Sequence, residues 1–313
     1  MRKLLSLLLI LALVIPAALA ESAWEPLLMA DPDDPDAALD VVPHVPNPDN
    51  FFEETVDGEI ISRYEDESIS VTLEHVWIGN ARLNVARVKI VDPSQLRTEV
   101  EKPYSKEKSN LVATMAARQN AVVATGGDYY KGIKNSCYII RMGREMRKAK
   151  SGTNRDMLFT DANGDFIILQ SPTIEEITAT MNGETPMINS FFFGPALVVD
   201  GELQEMPKDY KIGNINSTEE PRCAIGQLGP LEYMMIVVDG RGQEGSKGCS
   251  CETLAQYMYE QGCVQAYNLD GGNSADMYFN SEIYSHQKKS YRAVSDIIYF
   301  ATLVDSGLDA EAK

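Results

Sequence analysis

The stretch "SISVTLEHVWIGNARLNVARVKIV", residues 68–91, sets the architecture. Apolar and polar side chains alternate on both sides of Gly79-Asn80. A period of two marks a strand with one buried face, and a Gly-Asn pair between two such runs marks a hairpin. Working outward, "CYIIRMGREMRKA" (137–149) predicts a hairpin turning at Met142-Gly143, and "DMLFTDANGDFIIL" (156–169) one turning at Asn163-Gly164. Asp161, Asn163 and Asp165 faintly resemble a calcium loop, but Phe166 stands where that loop needs glycine, so the turn reading is preferred.

The remaining runs fill in the domain. "LVATMAARQN" (111–120) predicts a short helix before the strand "AVVATGG" (121–127), and "PTIEEITATMNG" (172–183) another helix, with proline near its start and Gly183 past its end. "FFFGPALVVDGE" (191–202) and "LEYMMIVVDGR" (231–241) are apolar strands entering Asp-Gly turns. Ser250 is a good N-cap for the helix "CETLAQYMYEQG" (251–262), whose stripe is Leu254, Ala255 and Met258. "VQAYNL" (264–269) is too uniformly apolar for a half-exposed strand and belongs in a sheet centre. "RAVSDIIYFATLV" (292–304) supplies a last strand. Many strands and few helices predict one α+β domain over 61–305, built on a large mixed sheet with a few flanking helices.

The flanks read differently. Residues 1–20 have the form of a signal peptide: Arg2 and Lys3, an apolar run from Leu4 to Ala18, and Ala18-Leu19-Ala20 as a cleavage site. The run is short for a membrane helix and is broken by Pro16, and no later stretch approaches the ~20 apolar residues of a span. The expectation is a soluble protein, secreted or held in the cell envelope, with no integral membrane segment after cleavage. Residues 21–60 are rich in Asp and Pro and predict an acidic leader or spacer, partly wrapped on the domain; calcium at Asp31, Asp33, Asp34 and Asp36 is a weaker reading. Residues 306–313 are expected to be a frayed tail.

Charge limits the partners. Loss of residues 1–20 moves the formal charge from −18 to −20, which argues against a nucleic-acid ligand. Five cysteines lie beyond the leader, and an odd count leaves at least one thiol outside any internal pairing. Among Cys249, Cys251 and Cys263 a disulfide, buried thiols and zinc all stay open, although zinc lacks a fourth ligand and the usual spacing.

Two strand ends carry the chemistry. "ATGGDYY" (124–130) and "NLDGGNSAD" (268–276) each run from apolar strand to Gly-Gly pair to carboxylate. Glycine lets a ligand approach the main chain, and clustered N–H groups bind anions without a basic patch. The bland alternative is ordinary Asp-Gly turn chemistry.

The motifs "GGDYY", "YIIRMG", "FGPALVVDGE", "PRCAIGQ", "IVVDGRG", "SKGCSCETLAQYMYEQGC", "YNLDGGNSADM" and "YRAVSDIIYF" occur in that order. The set resembles the phosphodiester glycosidase family over about residues 110–303. The resemblance implies hydrolysis of a sugar-1-phosphate diester at its glycosidic bond, on a carbohydrate or sugar-phosphate substrate, with bacterial relatives tied to exopolysaccharide. It implies catalytic carboxyls at Asp270, with Asp128 or Asp239 as partner, and substrate contacts from Gly126, Gly127, Gly271, Gly272, Asn273 and Ser274. Arg222, Arg241 and Arg292 match family arginines that would stabilise phosphate charge, each with an alternative as a structural ion-pair partner. Asp239 is equally readable as a turn residue. No cofactor is required, although a divalent cation at Asp270 and Asp276 stays open.

The sequence departs from the family at three places. Thr125 stands for a usual Asn, Asn273 for a glycine, and Ala275-Asp276 for a Ser/Thr pair. These departures motivate an alternative reading, an inactive glycan-binding or cell-envelope scaffold. His44, His75 and His286 receive no role.

Overall fold

The computed structural model describes residues 24–132, 137–148, 150–208, 210, 215–286 and 291–308. The signal sequence expected at 1–20 and most of the tail lie outside the described residues.

The hairpin that opened the sequence reading is the spine of the largest sheet. Ile69–Ile78 pairs with Ala81–Ile90 in one unbroken register, from Ile69 opposite Ile90 to Ile78 opposite Ala81. With the hairpin included the sheet has nine strands, in the order Phe51–Val56, Glu59–Glu65, Ile69–Ile78, Ala81–Ile90, Glu232–Val238, Arg222–Gly229, Gln265–Leu269, Ala196–Val199, Glu202–Leu203. A five-stranded sheet packs against it, ordered Glu282–Ile283, Met277–Phe279, Val123–Gly126, Asp296–Phe300, Leu96–Val100. Smaller sheets of three and two strands hold the segments 157–191 and 139–147.

The α+β class holds, but the expected mixed sheet does not. Every described pairing is antiparallel. The physical reason lies in the connections. Tight hairpins join most neighbours, and a parallel pair needs a long crossover instead.

Strand alternation builds the layers. Cys223, Ile225, Met235, Val237, Tyr267 and Leu269 face the five-stranded sheet and join Val123, Met277, Ile298 and Phe300 in the main core. Ala224, Met234, Ile236, Val238 and Ala266 point to the opposite face, where Leu254, Ala255 and Met258 of the helix Cys251–Glu260 cover them. Ser250 caps that helix by accepting the Thr253 N–H at 3.1 Å. The helix Val112–Arg118 covers the outer face of the smaller sheet through Val112, Met115 and Ala116. The hairpin at Met142-Gly143 has positive φ at both residues, 49° and 76°, the geometry that matches strand twist. Asp161 Oδ1 accepts the N–H groups of Asn163 and Asp165 at 2.9 Å each, so the faint calcium pattern is a self-bonded turn.

The acidic leader is more structured than its composition predicted. Phe51–Val56 is a strand of the main sheet, and the boundary expected at 61 falls inside Glu59–Glu65. Ala38 and Leu39 are buried. The buried Arg97 donates to the carbonyls of Leu28 at 3.0 Å and Ala38 at 2.6 Å. A buried guanidinium with carbonyl acceptors on the leader ties that segment to the domain.

The cysteine question resolves to buried thiols. None of the five forms a disulfide and all are buried, with Cys249, Cys223 and Cys263 pushed up to about 12 by burial. The helix Cys251–Glu260 separates Cys249 and Cys251 from Cys263. Ten helical residues span ~15 Å, well beyond the reach of a disulfide.

Candidate active site

Adjacent strands bring the site together at their ends. Arg222–Gly229 and Gln265–Leu269 pair with Cys223 opposite Leu269 and Ala224 opposite Asn268. Continuing that register one step sets Arg222 beside Asp270. Both strand ends open onto a cavity of about 230 Å³, lined by Asp270, Gly271, Gly272, Asn268, Arg222 and Arg241, together with Glu220, Pro221, Phe193, Ile215 and Leu269.

The chain around Asp270 is tightly constrained. Its N–H donates to the Gly127 carbonyl at 3.1 Å, which joins the two Gly-rich strand ends predicted from sequence. Gly272 holds φ +61°, a conformation that favours glycine, and opens a short 3-10 turn through Ser274. Gly127 is required for a different reason. A Cβ there would lie 2.5 Å from a carboxylate oxygen of Asp296. Gly271 and Gly272 therefore line the cavity, whereas Gly126 and Gly127 serve close packing behind it.

Asp270 is buried, and burial pushes its carboxyl up to about 6. The Ser274 hydroxyl and the Arg292 charge oppose the rise, and the charge on Asp128 adds to it. A carboxyl that holds its proton close to neutrality in a cavity is the usual mark of acid–base chemistry.

Asp128 is also buried, behind the cavity. Its Oδ2 accepts the Phe192 N–H at 2.8 Å and lies 3.4 Å from Arg141 Nη2.

Asp239 is placed elsewhere. It is fully buried, with Oδ2 2.7 Å from Arg82 Nη1 and Oδ1 accepting from Asn84 Nδ2 at 3.1 Å. His286 Nδ1 lies 2.5 Å from the same Oδ1. Burial works to raise Asp239, but its hydrogen bond and charge contact with His286, reinforced by Arg82, leave the carboxyl below its usual range. The Asp-Gly-Arg turn thus splits. Asp239 anchors it inside, and Arg241 reaches the cavity wall.

Each arginine is engaged. Arg222 donates from Nε to the Cys249 carbonyl at 2.9 Å and from Nη2 to the Ser217 carbonyl at 3.1 Å. Arg241 bonds Glu220 through Nε at 2.9 Å and Asn273 Oδ1 through Nη1 at 3.1 Å. Arg292 is exposed and lies 4.9 Å over the Tyr129 ring. The departures from the family pattern have structural roles. Asn273 holds Arg241, and Thr125 Oγ1 donates to the Asp276 carbonyl at 2.9 Å. Asp276 is buried. Among the described residues no group of three or more His, Cys, Asp or Glu side chains is arranged to hold a metal ion.

Sequence reasoning passed over four residues here: Asn268, Glu220, Arg141 and His286. Asn268 was legible, because it shares a strand face with Asp270 at i, i+2. Its Nδ2 donates to the Gly194 carbonyl at 2.8 Å, and its buried Oδ1 has no hydrogen-bond partner among the described residues. His286 sits in a stretch that reads as a polar loop, and nothing in the sequence connects it to Asp239.

Residues 119–301 match the phosphodiester glycosidase family, which is more than half of the chain. The chain belongs to that family. Within it, the bovine N-acetylglucosamine-1-phosphodiester alpha-N-acetylglucosaminidase is 22% identical over 191 residues, covering 58% of this chain and 35% of that one. The SPbeta prophage-derived uncharacterized protein YomE of Bacillus subtilis is 34% identical over 90 residues, covering 28% of this chain and 13% of that one. The chain thus spans about a third or less of the length of these relatives. Among solved structures, the zebrafish N-acetylglucosamine-1-phosphodiester alpha-N-acetylglucosaminidase catalytic domain, auto-inhibited by pro-peptide, shares the fold with a TM-score of 0.59. Its identity is 18%, over 81% of this chain and 88% of that one. A hypothetical protein from Synechocystis aligns with a TM-score of 0.51 at 14% identity, over 80% of this chain and 68% of that one. In this fold the Asp270 N–H joins the two Gly-rich strand ends through the Gly127 carbonyl, with the 268–272 end lining the cavity and Gly126 and Gly127 packed behind it.

Proposed function

We propose that this phosphodiester glycosidase is an exported enzyme that hydrolyses the glycosidic bond of a sugar-1-phosphate diester in a glycan or cell-envelope polymer. The observation that carries the reading is Asp270: a buried carboxyl, pushed up to about 6, at a cavity walled by Arg222 and Arg241. Glycosidic cleavage passes through an oxocarbenium-like state that two carboxyls ordinarily manage. A phosphodiester oxygen leaves readily, so the site needs charge stabilisation more than strong acid catalysis. Asp270 is the working carboxyl and Asp128 its partner. Arg241 and the Gly271 N–H serve the phosphate, the Gly272 N–H being held by the Pro221 carbonyl at 2.9 Å, and Asn268 Oδ1 accepts from a sugar hydroxyl or amide. Asp239 supports the turn from behind. The A-x-A leader supports export.

A second reading has one specific observation behind it. Glu220 and Asn273 occupy Arg241, the cation nearest to hand for a phosphate. A scaffold that binds glycan without turnover would tolerate that engagement. Incubation with the methyl diester of N-acetylglucosamine-1-phosphate separates the two. The enzyme releases reducing sugar and methyl phosphate, and Asp270→Asn abolishes the release. Saturable binding with no release from this or other sugar-1-phosphate diesters favours the scaffold.

A further inference from the structure

A second cavity, larger than the one at Asp270, lies where the edges of the two main sheets part. It has a volume of about 410 Å³. Phe51, Glu53 and Ser62 line it from the nine-stranded sheet, and Phe279, Asn280, Glu282 and Tyr284 from the hairpin at the edge of the five-stranded one. Strand register sets it well away from the candidate active site. Ser62 pairs with Leu73, Leu73 with Ala86, Ala86 with Met235, and Met235 with Ile225. Four strand spacings, roughly 20 Å, therefore separate Ser62 from the strand that carries Arg222. Among the described residues none lines both cavities.

The strand pattern here is wrong for a core. Glu53 stands opposite Ser62, on the face that Phe51 and Tyr64 turn toward the main core. Two neighbouring inward positions thus hold polar groups where the alternation calls for apolar ones. Ser62 is buried, and its Oγ donates to Glu53 Oε1 at 3.5 Å, a long contact. Local rules broken in this way are expected at functional sites.

The opposite wall is held in shape. Asn280-Ser281 turns the hairpin from Met277–Phe279 to Glu282–Ile283 with φ of 49° and 64°, which leaves Asn280 and Glu282 exposed at the rim. Tyr284 stacks on His75 with ring centroids 4.7 Å apart, and Phe279 meets Phe51 edge-on at 5.1 Å.

The side chains select the ligand. The lining combines aromatic rings with two carboxylates, an amide and a serine hydroxyl and, among the described residues, no Lys, Arg or His. Carboxylates without a cation repel anions, in a chain whose formal charge is already −18. A sugar ring presents C–H groups on its faces, which pack on aromatic side chains, and hydroxyls around its rim, which need acceptors and donors together. Glu53 and Glu282 accept, while Asn280 and Ser62 both donate and accept. A bare ammonium would use the acceptors and leave those donors idle.

We propose that this cleft is a second, noncatalytic saccharide-binding site that takes a neutral stretch of glycan. It rests on the reading of the substrate as a glycan-linked diester, and adds a hold on the glycan at a distance from the scissile bond. Tethering of this kind raises the local concentration of the diester at Asp270 without a new contact there.

Isothermal titration calorimetry on the full chain tests it, with neutral tetrasaccharides of glucose, galactose, mannose and N-acetylglucosamine as probes. At least one probe binds saturably, and Asp270→Asn binds it equally well. The double variant Glu53→Gln with Glu282→Gln, and separately Asn280→Gly, weaken it by at least about tenfold. All three positions are exposed, and glycine accepts the left-handed φ of Asn280, so these variants fold. Release of reducing sugar from the methyl diester is unchanged in them. Absence of saturable binding by every probe overturns the proposal, as does binding that survives the cleft variants or vanishes in Asp270→Asn. Choline binding that the same variants abolish, with no saccharide binding, also overturns it and makes the cleft a cation site. The titration needs no turnover. A chain that binds a tetrasaccharide but cleaves no sugar-1-phosphate diester sinks the enzymatic reading alone, and an active enzyme that binds no saccharide sinks only the role of the cleft.

Discussion

Replacing Asp270 by Asn stabilises the fold in a pH-dependent way. The carboxyl sits at 3.8 in the unfolded chain and at about 6 in the folded one, chiefly because burial disfavours its charge. The folded state therefore binds the proton more tightly, and stability falls as pH rises through that window. With 1.36 kcal/mol per pH unit, the destabilisation is about 1 kcal/mol at pH 4.5 and about 3 kcal/mol at pH 8. Asn has the same shape and no charge to bury. The variant should then gain roughly 2–3 kcal/mol at pH 8 and markedly less at pH 4.5, or on the order of 5–10 °C in Tm at the higher pH for a domain of this size. Thermal unfolding followed by circular dichroism at the two pH values measures it. An Asn variant less stable than wild type at pH 8, or a gain identical at both pH values, refutes the argument that Asp270 is a buried, strained charge.

Other perturbations follow from the same geometry. Asp239→Asn goes the opposite way. The native carboxyl lies below its unfolded value of 3.8, so its contribution is present above that pH and lost as pH falls through the folded value. Leaving Arg82 and His286 without that charge should cost about 2–4 kcal/mol at pH 7, read from urea midpoints, and little at pH 3. Gly127→Ala forces a methyl into the Asp296 carboxylate and should cost at least about 2 kcal/mol, with loss of turnover beyond what the stability change explains. A chain beginning at residue 51 strips the Leu28 and Ala38 carbonyls from buried Arg97, and should unfold at lower urea than the chain beginning at residue 21.

How much of this was written in the sequence depends on the distance over which each feature acts. The hairpin of residues 69–90 was legible because alternation is local, and so were the helix capped by Ser250 and the central position of Gln265–Leu269. The Gly-Gly strand ends were legible as points of close approach because their residue types are costly without a purpose, and they divide between a cavity lining at Gly271 and Gly272 and tight packing against Asp296 at Gly127. The antiparallel order was not, since periodicity carries no direction. Asp239 defeated the reading because a turn aspartate and a buried anchor share the same Asp-Gly-Arg letters. What separates them is Arg82, Asn84 and His286, all remote in sequence. Asp296 did offer a signal: a carboxylate opening the apolar run "DIIYF" must be buried, and a buried carboxylate needs a partner. That the partner is Arg141 is a tertiary fact. The leader misled through composition, because Pro and Asp conceal the short apolar pair Ala38-Leu39 and the single Phe51 that dock it.

The most direct test of the account is product analysis on a sugar-1-phosphate diester with wild type and Asp270→Asn side by side. The account predicts free reducing sugar and a phosphomonoester in equal amounts from wild type, and at least a ~100-fold loss in the folded variant. Undiminished release by Asp270→Asn, or cleavage on the other side of the phosphate to leave sugar-1-phosphate, contradicts it.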